Sequence, residues 1–325
     1  MAINTFAEKA LKFLSVLDEV YALQSKTANL DNAALTQSFV GTNKIKLPKI
    51  SVDGAGNYDR DAGYAQGGVS VSYEEHTLKY DRGRKFRIDV VDDDESAFAL
   101  FRQVTLQYVR TREIPEIDAI RFMEIYNAAS RSGSLGTVVE KDLTSSDKAL
   151  ALFDAAEKTL NEKEVPEEGR VLYCTNDFYE MLKNTDAISR RLDVNGNNGD
   201  INRRVAMLDG ITPIIKVPQV RFYSKVKLLD GTSESEKKGG YEVVNATTGE
   251  NAVVGTKDIN FIYANRDVLR GVVKRNVSKI VTPEQNQSAD AYDVFYRIHH
   301  DLIVRDNETA AIYVHTKKTA HAAGA

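Results

Sequence analysis

At 325 residues, 42% hydrophobic and 28% charged, the chain is long enough for one large domain or two small ones, each with its own core. No run of about 18 apolar residues offers a membrane-spanning helix, and Lys9, Lys12, Asp18 and Glu19 interrupt any signal-peptide core. The single cysteine, Cys174, excludes an intrachain disulfide and a cysteine metal cluster, which fits a reducing compartment, and a net charge of -4 excludes an overall electrostatic nucleic-acid binder.

Residues 4–24 read as a modest amphipathic helix, with Phe6, Ala10, Phe13, Leu14, Leu17 and Tyr21 at helical spacing. A strand-like stretch follows at 44–50. Residues 53–68, rich in Gly, Ala, Asp and Asn, favour an extended loop. In the first 60 residues Lys and Arg nearly balance Asp and Glu, so this is no basic arm for gathering phosphates. Its apolar surface is too small for a core of its own, and it must lie on something else or be disordered.

Alternating runs at 69–80 and 84–91, joined near Asp81-Arg82-Gly83, give a β-hairpin signal. A long two-stranded hairpin is marginal in water and needs a partner surface. Its cations Arg82, Arg84, Lys85 and Arg87 admit three readings: nucleic-acid contact, a solvated strand edge, or ion pairs with a neighbouring subunit. The third is preferred, because the hairpin needs an external surface.

Asp92, Asp93, Asp94 and Glu95 supply an N-cap and four charges suited to the positive end of a helix, which explains them without a magnesium site. The apolar spacing predicts a helix over 94–131, about 50 Å long. Pro115 should kink it, since it removes a backbone donor and crowds the carbonyl of Thr111. The pattern then becomes mixed: a helix over 145–163 capped by Thr144, a buried strand over 171–174, and a helix capped by Thr175 to about 183. Residues 205–217 contain the turn Leu208-Asp209-Gly210. The polar, glycine-studded stretch 224–257 reads as an inserted surface hairpin, and strands at 259–264, 271–280, 292–304 and 311–315 as a closing antiparallel set. From Thr316 the tail should fray.

The motifs of catalysis fail in turn. Gly54-Ala55-Gly56 lacks the third glycine of a dinucleotide fingerprint, at Asp59. Gly249, Gly255, Thr256 and Lys257 have the wrong spacing and order for a phosphate loop. Asp193-Val194-Asn195-Gly196-Asn197 starts like a calcium loop but has Asn198 and Arg204 where glycine and glutamate belong. In His299-His300-Asp301, a strand would let only His299 and Asp301 share a metal, with His315 the one further candidate; a hydrogen-bonding role is preferred. Cys174 reads as inert packing. No catalytic, cofactor or metal site is expected, and no enzyme.

The run Tyr80-Asp81-Arg82-Gly83-Arg84-Lys85-Phe86-Arg87-Ile88-Asp89 is followed by Asp92-Asp93-Asp94-Glu95 and then by Ile114-Pro115-Glu116-Ile117-Asp118-Ala119. With Leu208-Asp209-Gly210-Ile211-Thr212-Pro213 and Arg297-Ile298-His299-His300-Asp301, this order resembles the major capsid proteins of tailed phages of Gram-positive bacteria, over nearly the whole chain. The resemblance implies an α+β chain of the Hong Kong 97-type capsid fold. In its terms, residues 1–55 are an N-terminal arm and 56–91 the extended loop. Residues 92–144 and 258–325 form a peripheral domain with a spine helix over about 94–131, and 145–257 an axial domain carrying the hairpin at 224–257. Self-assembly into pentamers and hexamers of an icosahedral shell around double-stranded DNA is implied, without sequence-specific DNA binding. So are portal and head-completion proteins, assembly in the host bacterial cytoplasm, and location in the virion. Residues 53–68 hold no lysine, which argues against a lysine–asparagine cross-link. The chain enters the arm without a long helical pre-segment, so the expected scaffold is a separate protein. An encapsulin-like nanocompartment shell around a cargo enzyme is the alternative.

Overall fold

The computed structural model describes residues 20–21, 23–38, 44–61, 63–89, 103, 105–143, 146–185, 205–210, 212–244, 255–281, 285–289 and 291–320. Most of the expected helix 4–24 falls outside these, as do Asp92 to Glu95, the start of the long helix, and the calcium-like run at 193–200.

A six-stranded sheet has the order β4 (Thr137–Glu140), β13 (Ile312–Ala320), β10 (Lys257–Asn265), β5 (Arg170–Thr175), β7 (Thr212–Val217), β6 (Met207–Leu208). Its side chains alternate between two helical layers, as the period of a strand demands. Val171 and Tyr173 of β5, Ile262 and Ala264 of β10, and Ile312 and Val314 of β13 meet the C-terminal half of α2 (Ile114–Ser130, which follows the short α1, Ala33–Ser38) through Phe122, Ile125 and Ala129. Leu172, Cys174, Phe261, Tyr263 and Tyr313 point the other way. They meet Phe153 and Leu160 of α3 (Ser146–Glu162) and Phe178 and Leu182 of α4 (Asn176–Lys183). Covered on both faces, β5 is buried at every residue. Thr175 caps α4 as expected, its hydroxyl accepting from the Phe178 amide at 3.2 Å. The turn at Asp209-Gly210 is also present, both residues at positive φ.

The second sheet holds β11 (Arg270–Val281), β12 (Ala291–Ile303) and β3 (Tyr80–Asp89), all antiparallel. The N-terminal half of α2 packs on it through Ile114 and Ile117 against Tyr296 and Ile298. One helix therefore spans both sheets. A third side of α2, at Ile120 and Met123, takes the two-stranded hairpin β8 (Val226–Leu229) and β9 (Gly240–Val243), which is the expected insertion. The closing strands do not form a single set: β10 and β13 bond within the six-stranded sheet, β11 and β12 within the other. β13 runs to Ala320 with Thr316 buried, so no fraying starts there; β4 holds its edge in parallel.

The expected hairpin of 69–80 with 84–91 does not form. β2 (Val69–Thr77) pairs antiparallel with β1 (Lys44–Val52), and β3 pairs with β12, more than 200 residues along the chain. Asp81-Arg82-Gly83 lies inside β3 and makes no turn. Two consecutive strands with alternating pattern look like a hairpin whether they bond each other or separate partners. The same apolar alternation serves either pairing.

At Pro115 the helix changes its winding. Residues Val109–Glu113 form a π-helical turn, closed by the Ile114 amide on the Val109 carbonyl. Proline has no N–H for the carbonyl four residues back and its ring crowds that carbonyl; a widened turn relieves both.

Candidate assembly surface

The ribbon β1–β2 bonds no other strand among the described residues. Its register pairs Pro48 with Tyr73, Ile50 with Val71, and Val52 with Val69, so these six side chains share one face. They are open to solvent: Ile50 is 60% exposed, Val52 66%, Val69 66%, Val71 53% and Tyr73 66%. At the other end Leu47 and Leu78 are buried with Leu35, Val272 and Ile303, which anchors the ribbon's base in the body. At about 3.4 Å per residue, the nine-residue strands make a ribbon roughly 30 Å long, of which the part beyond Leu47 lies open. The tip is closed by reciprocal backbone bonds between Asp59 and Gly63, and presents Tyr58 and Tyr64 edge to face at 4.9 Å. Gly63 holds φ +82, which suits glycine.

The described residues that precede the ribbon pack on their own chain. Asp118, fully buried in α2, accepts from the Ser25 hydroxyl (2.7 Å), the Lys26 amide (3.0 Å), the Thr27 hydroxyl (2.7 Å) and the Arg221 guanidinium (3.1 Å). One turn on, the buried Arg121 donates to the Thr27 carbonyl at 2.8 Å and pairs with Asp31. Gly271 makes room for that pair: a Cβ there would stand 2.6 Å from an Arg121 nitrogen. The opening segment, expected to lie on something else, finds that surface in its own chain at Val20, Tyr21, Leu30 and Leu35, which are buried. Among its described residues the outer ribbon is left without one. Asp118 and Arg121 were missed in sequence, although an Asp and an Arg amid Ile117, Ala119, Ile120 and Phe122 mark charges that need partners.

The four cations of β3 have partners in their own chain. Arg82 clamps three elements: Glu116 of α2 at 2.7 Å and the carbonyls of Leu229 (2.9 Å) and Gly240 (3.2 Å) at the inserted hairpin. Arg84 donates to the Lys237 carbonyl at 3.1 Å. Lys85 and Arg87 both reach Asp293 at 2.8 Å. Arg87, then Lys85, hold that carboxyl well below the usual carboxylate range.

The histidine cluster separates. His299 faces Asp81 at 3.2 Å, His300 stacks on Tyr80 at 5.5 Å between centroids, and Asp301 accepts from the amides of Lys79 (3.2 Å) and Leu302 (2.8 Å). His315 lies in the other sheet, bonded to Asn260 at 3.0 Å, so it is not brought to His299 and Asp301. Burial pushes its imidazole down to about 4 and the Cys174 thiol up to about 12, as inert packing requires. Lys257 opens β10 and pairs with Glu140, and the Thr256 hydroxyl donates to the Lys225 carbonyl. Among the described residues, no three His, Cys, Asp or Glu side chains are gathered as for a metal, and no helix is long and apolar enough to cross a membrane.

Neither a family model nor a curated protein sequence matches the chain. Solved structures do. A chain of the capsid of cyanophage P-SCSP1u superposes with TM-score 0.56 and 16% identity, over 86% of this chain and 85% of its own. A chain from Mycobacterium phage Che8 gives 0.55 and 13%, over 90% and 91%. One from the mature capsid of bacteriophage PhiM1 gives 0.53 and 12%, over 86% and 83%. This is the Hong Kong 97-type capsid fold. The capsid fold accommodates the elements described above in one α+β chain, with α2 as the helix that ties its parts together.

Proposed function

We propose that this chain is the major subunit of an icosahedral phage shell, assembling with its own copies into pentamers and hexamers around double-stranded DNA. The observation that carries the reading is the projecting ribbon with one apolar face left open, on a capsid fold. A contiguous exposed apolar surface on a strand pair is a liability in a monomer and an asset in an interface. A second copy of the chain is the partner that repeats it in every subunit and leaves no open edge once the shell closes.

In this reading the extended loop is the ribbon 44–77, and residues 80–89 belong with the body. The arm over the first residues, the axial domain at 145–257 and the peripheral domain formed by the rest are parts of the same proposal, as is location in the virion. So are a separate scaffolding protein, portal and head-completion proteins, and DNA held without sequence-specific contacts. Arg82, Arg84, Lys85 and Arg87 and the acidic run Asp92 to Glu95 would add ion pairs between copies. Lys85 and Arg87, with 43% and 46% of their side chains still exposed, are the best placed of the four cations. The test is electron microscopy of purified protein over a range of concentrations. Closed shells of uniform size are expected; a monomer at every concentration would contradict the proposal.

A further inference from the structure

Where the inserted hairpin meets the body there is a recess of about 60 Å³. Three elements wall it: β3 through Arg82 and Arg84, the helical segment leading into α2 through Tyr108 and Arg112, and the loop between β8 and β9 through Asp230 and Lys238. Strand alternation puts Arg82, Arg84 and Phe86 on one face of β3, where Phe86 meets the Tyr108 ring edge to face at 5.1 Å. Lys85 and Arg87 lie on the other face, with Asp293. Glycine lets the loop close on Arg84. Its Nη2 donates to the Lys237 carbonyl at 3.1 Å, while a Cβ on Gly231 would stand 3.0 Å from its Nη1 and one on Gly239 3.4 Å. Both glycines hold positive φ, +72 and +62.

Two carboxylates line the recess, and both are engaged. The Glu116 oxygens accept from Arg82 at 2.7 and 3.4 Å. Asp230 turns back on its own loop and accepts the amides of Thr232 at 2.8 Å and Ser233 at 2.9 Å. Among the described residues Arg84, Arg112 and Lys238 pair with no carboxylate, so three cations from three elements line one small cavity with no counter-charge.

We propose that this recess binds a single phosphate group, held by Arg84, Arg112 and Lys238, which ties the inserted hairpin to β3 and to the helix. The size fits: the cavity has room for about four or five water-sized atoms, as many as one tetrahedral oxyanion contains. The arrangement fits as well. A carboxylate is planar and suits one guanidinium fork, whereas donors approaching from three elements suit oxygens that point in separate directions. Repulsion among the cations is relieved most by a ligand of more than one negative charge. The phosphate has two possible sources, the free anion and a nucleic-acid backbone. Lys85 and Arg87, on the opposite face, remain for contacts between copies, and the site does not require that shells form.

Isothermal titration calorimetry of the full-length protein with sodium phosphate, at fixed ionic strength, tests it. The titration should saturate at one phosphate per chain. Arg112→Gln and Lys238→Gln, both at exposed positions, should each weaken binding at least about ten-fold. Lys158→Gln, which removes the same charge from the exposed side of α3, should leave binding unchanged. Hydrogen exchange of the wild type reads the tie without any substitution: phosphate should slow the amides of 231–239 relative to chloride, and leave those of the ribbon as they were. A short oligonucleotide without terminal phosphates separates the sources. Displacement of phosphate by it, lost in the same two variants, assigns the phosphate to a nucleic-acid backbone; phosphate binding that it does not disturb assigns the free anion. Heats that never saturate, equal loss in all three variants, or full affinity in Arg112→Gln and Lys238→Gln overturns the site. Failure to form shells, with phosphate bound, would count against the capsid reading alone.

Discussion

Asp118 is where three parts of the chain converge: the segment at 25–27, α2 and Arg221. Removing a buried partner leaves donors without acceptors and a cation without its counter-charge. Asp118→Ala should therefore lower the unfolding free energy by about 3–5 kcal/mol in urea titrations, and Asp118→Asn by less. A second residue sets a pH limit. His315 is buried with its imidazole lowered from 6.5 to about 4, so the folded chain resists its protonation while the unfolded chain does not. Its contribution is intact above pH 6.5 and is lost as pH falls through 4, a change of about 3 kcal/mol. His315→Gln should flatten that part of the stability–pH profile. In sequence Cys174 and the Thr175 cap were legible because each depends on near neighbours. The partners of Asp118 and His315 were not, since each is fixed by strands or segments more than 50 residues away.

Among the elements, the described part of the long helix, 105–130, was clear from its apolar period, and a disturbance near Pro115 from the proline. The form of the break, a π turn in the residues just before the proline, depends on how both flanks are packed and has no sequence pattern of its own. The strands themselves were placed well: β5, β8 and β10 to β13 overlap the expected runs. What failed was pairing. β3 carries the alternation of a hairpin strand and joins β12 instead, because β12 offers a complete edge in a sheet already covered by α2. That pairing gives Arg82 its place. Arg82→Met would take from Glu116 the cation at 2.7 Å and from the Leu229 and Gly240 carbonyls of the inserted hairpin the donor that Arg82 supplies. The expected cost is about 2 kcal/mol, with faster proteolysis in the loop 230–239 than elsewhere; cleavage at wild-type rate would show that packing on Ile120 and Met123 alone holds the hairpin.

At the scale of the whole molecule, two packed sheets and the helix across them account for the interior, and the ribbon is the one described element that leaves it. The order of elements along the chain carried the fold's identity, and the capsid structures agree with it at identities of 12% to 16%. Order survives at such identities because core positions need only the right polarity and volume. The central claim is that the open ribbon face is an interface between copies. Replacing Ile50 and Val71, paired on that face and already exposed, with aspartate should leave far-UV circular dichroism and the urea midpoint of the isolated subunit unchanged. Sedimentation and electron microscopy should then find closed shells for the wild type and unassembled subunits for the Ile50→Asp/Val71→Asp protein. Shells of normal size and yield from the double variant would contradict the account.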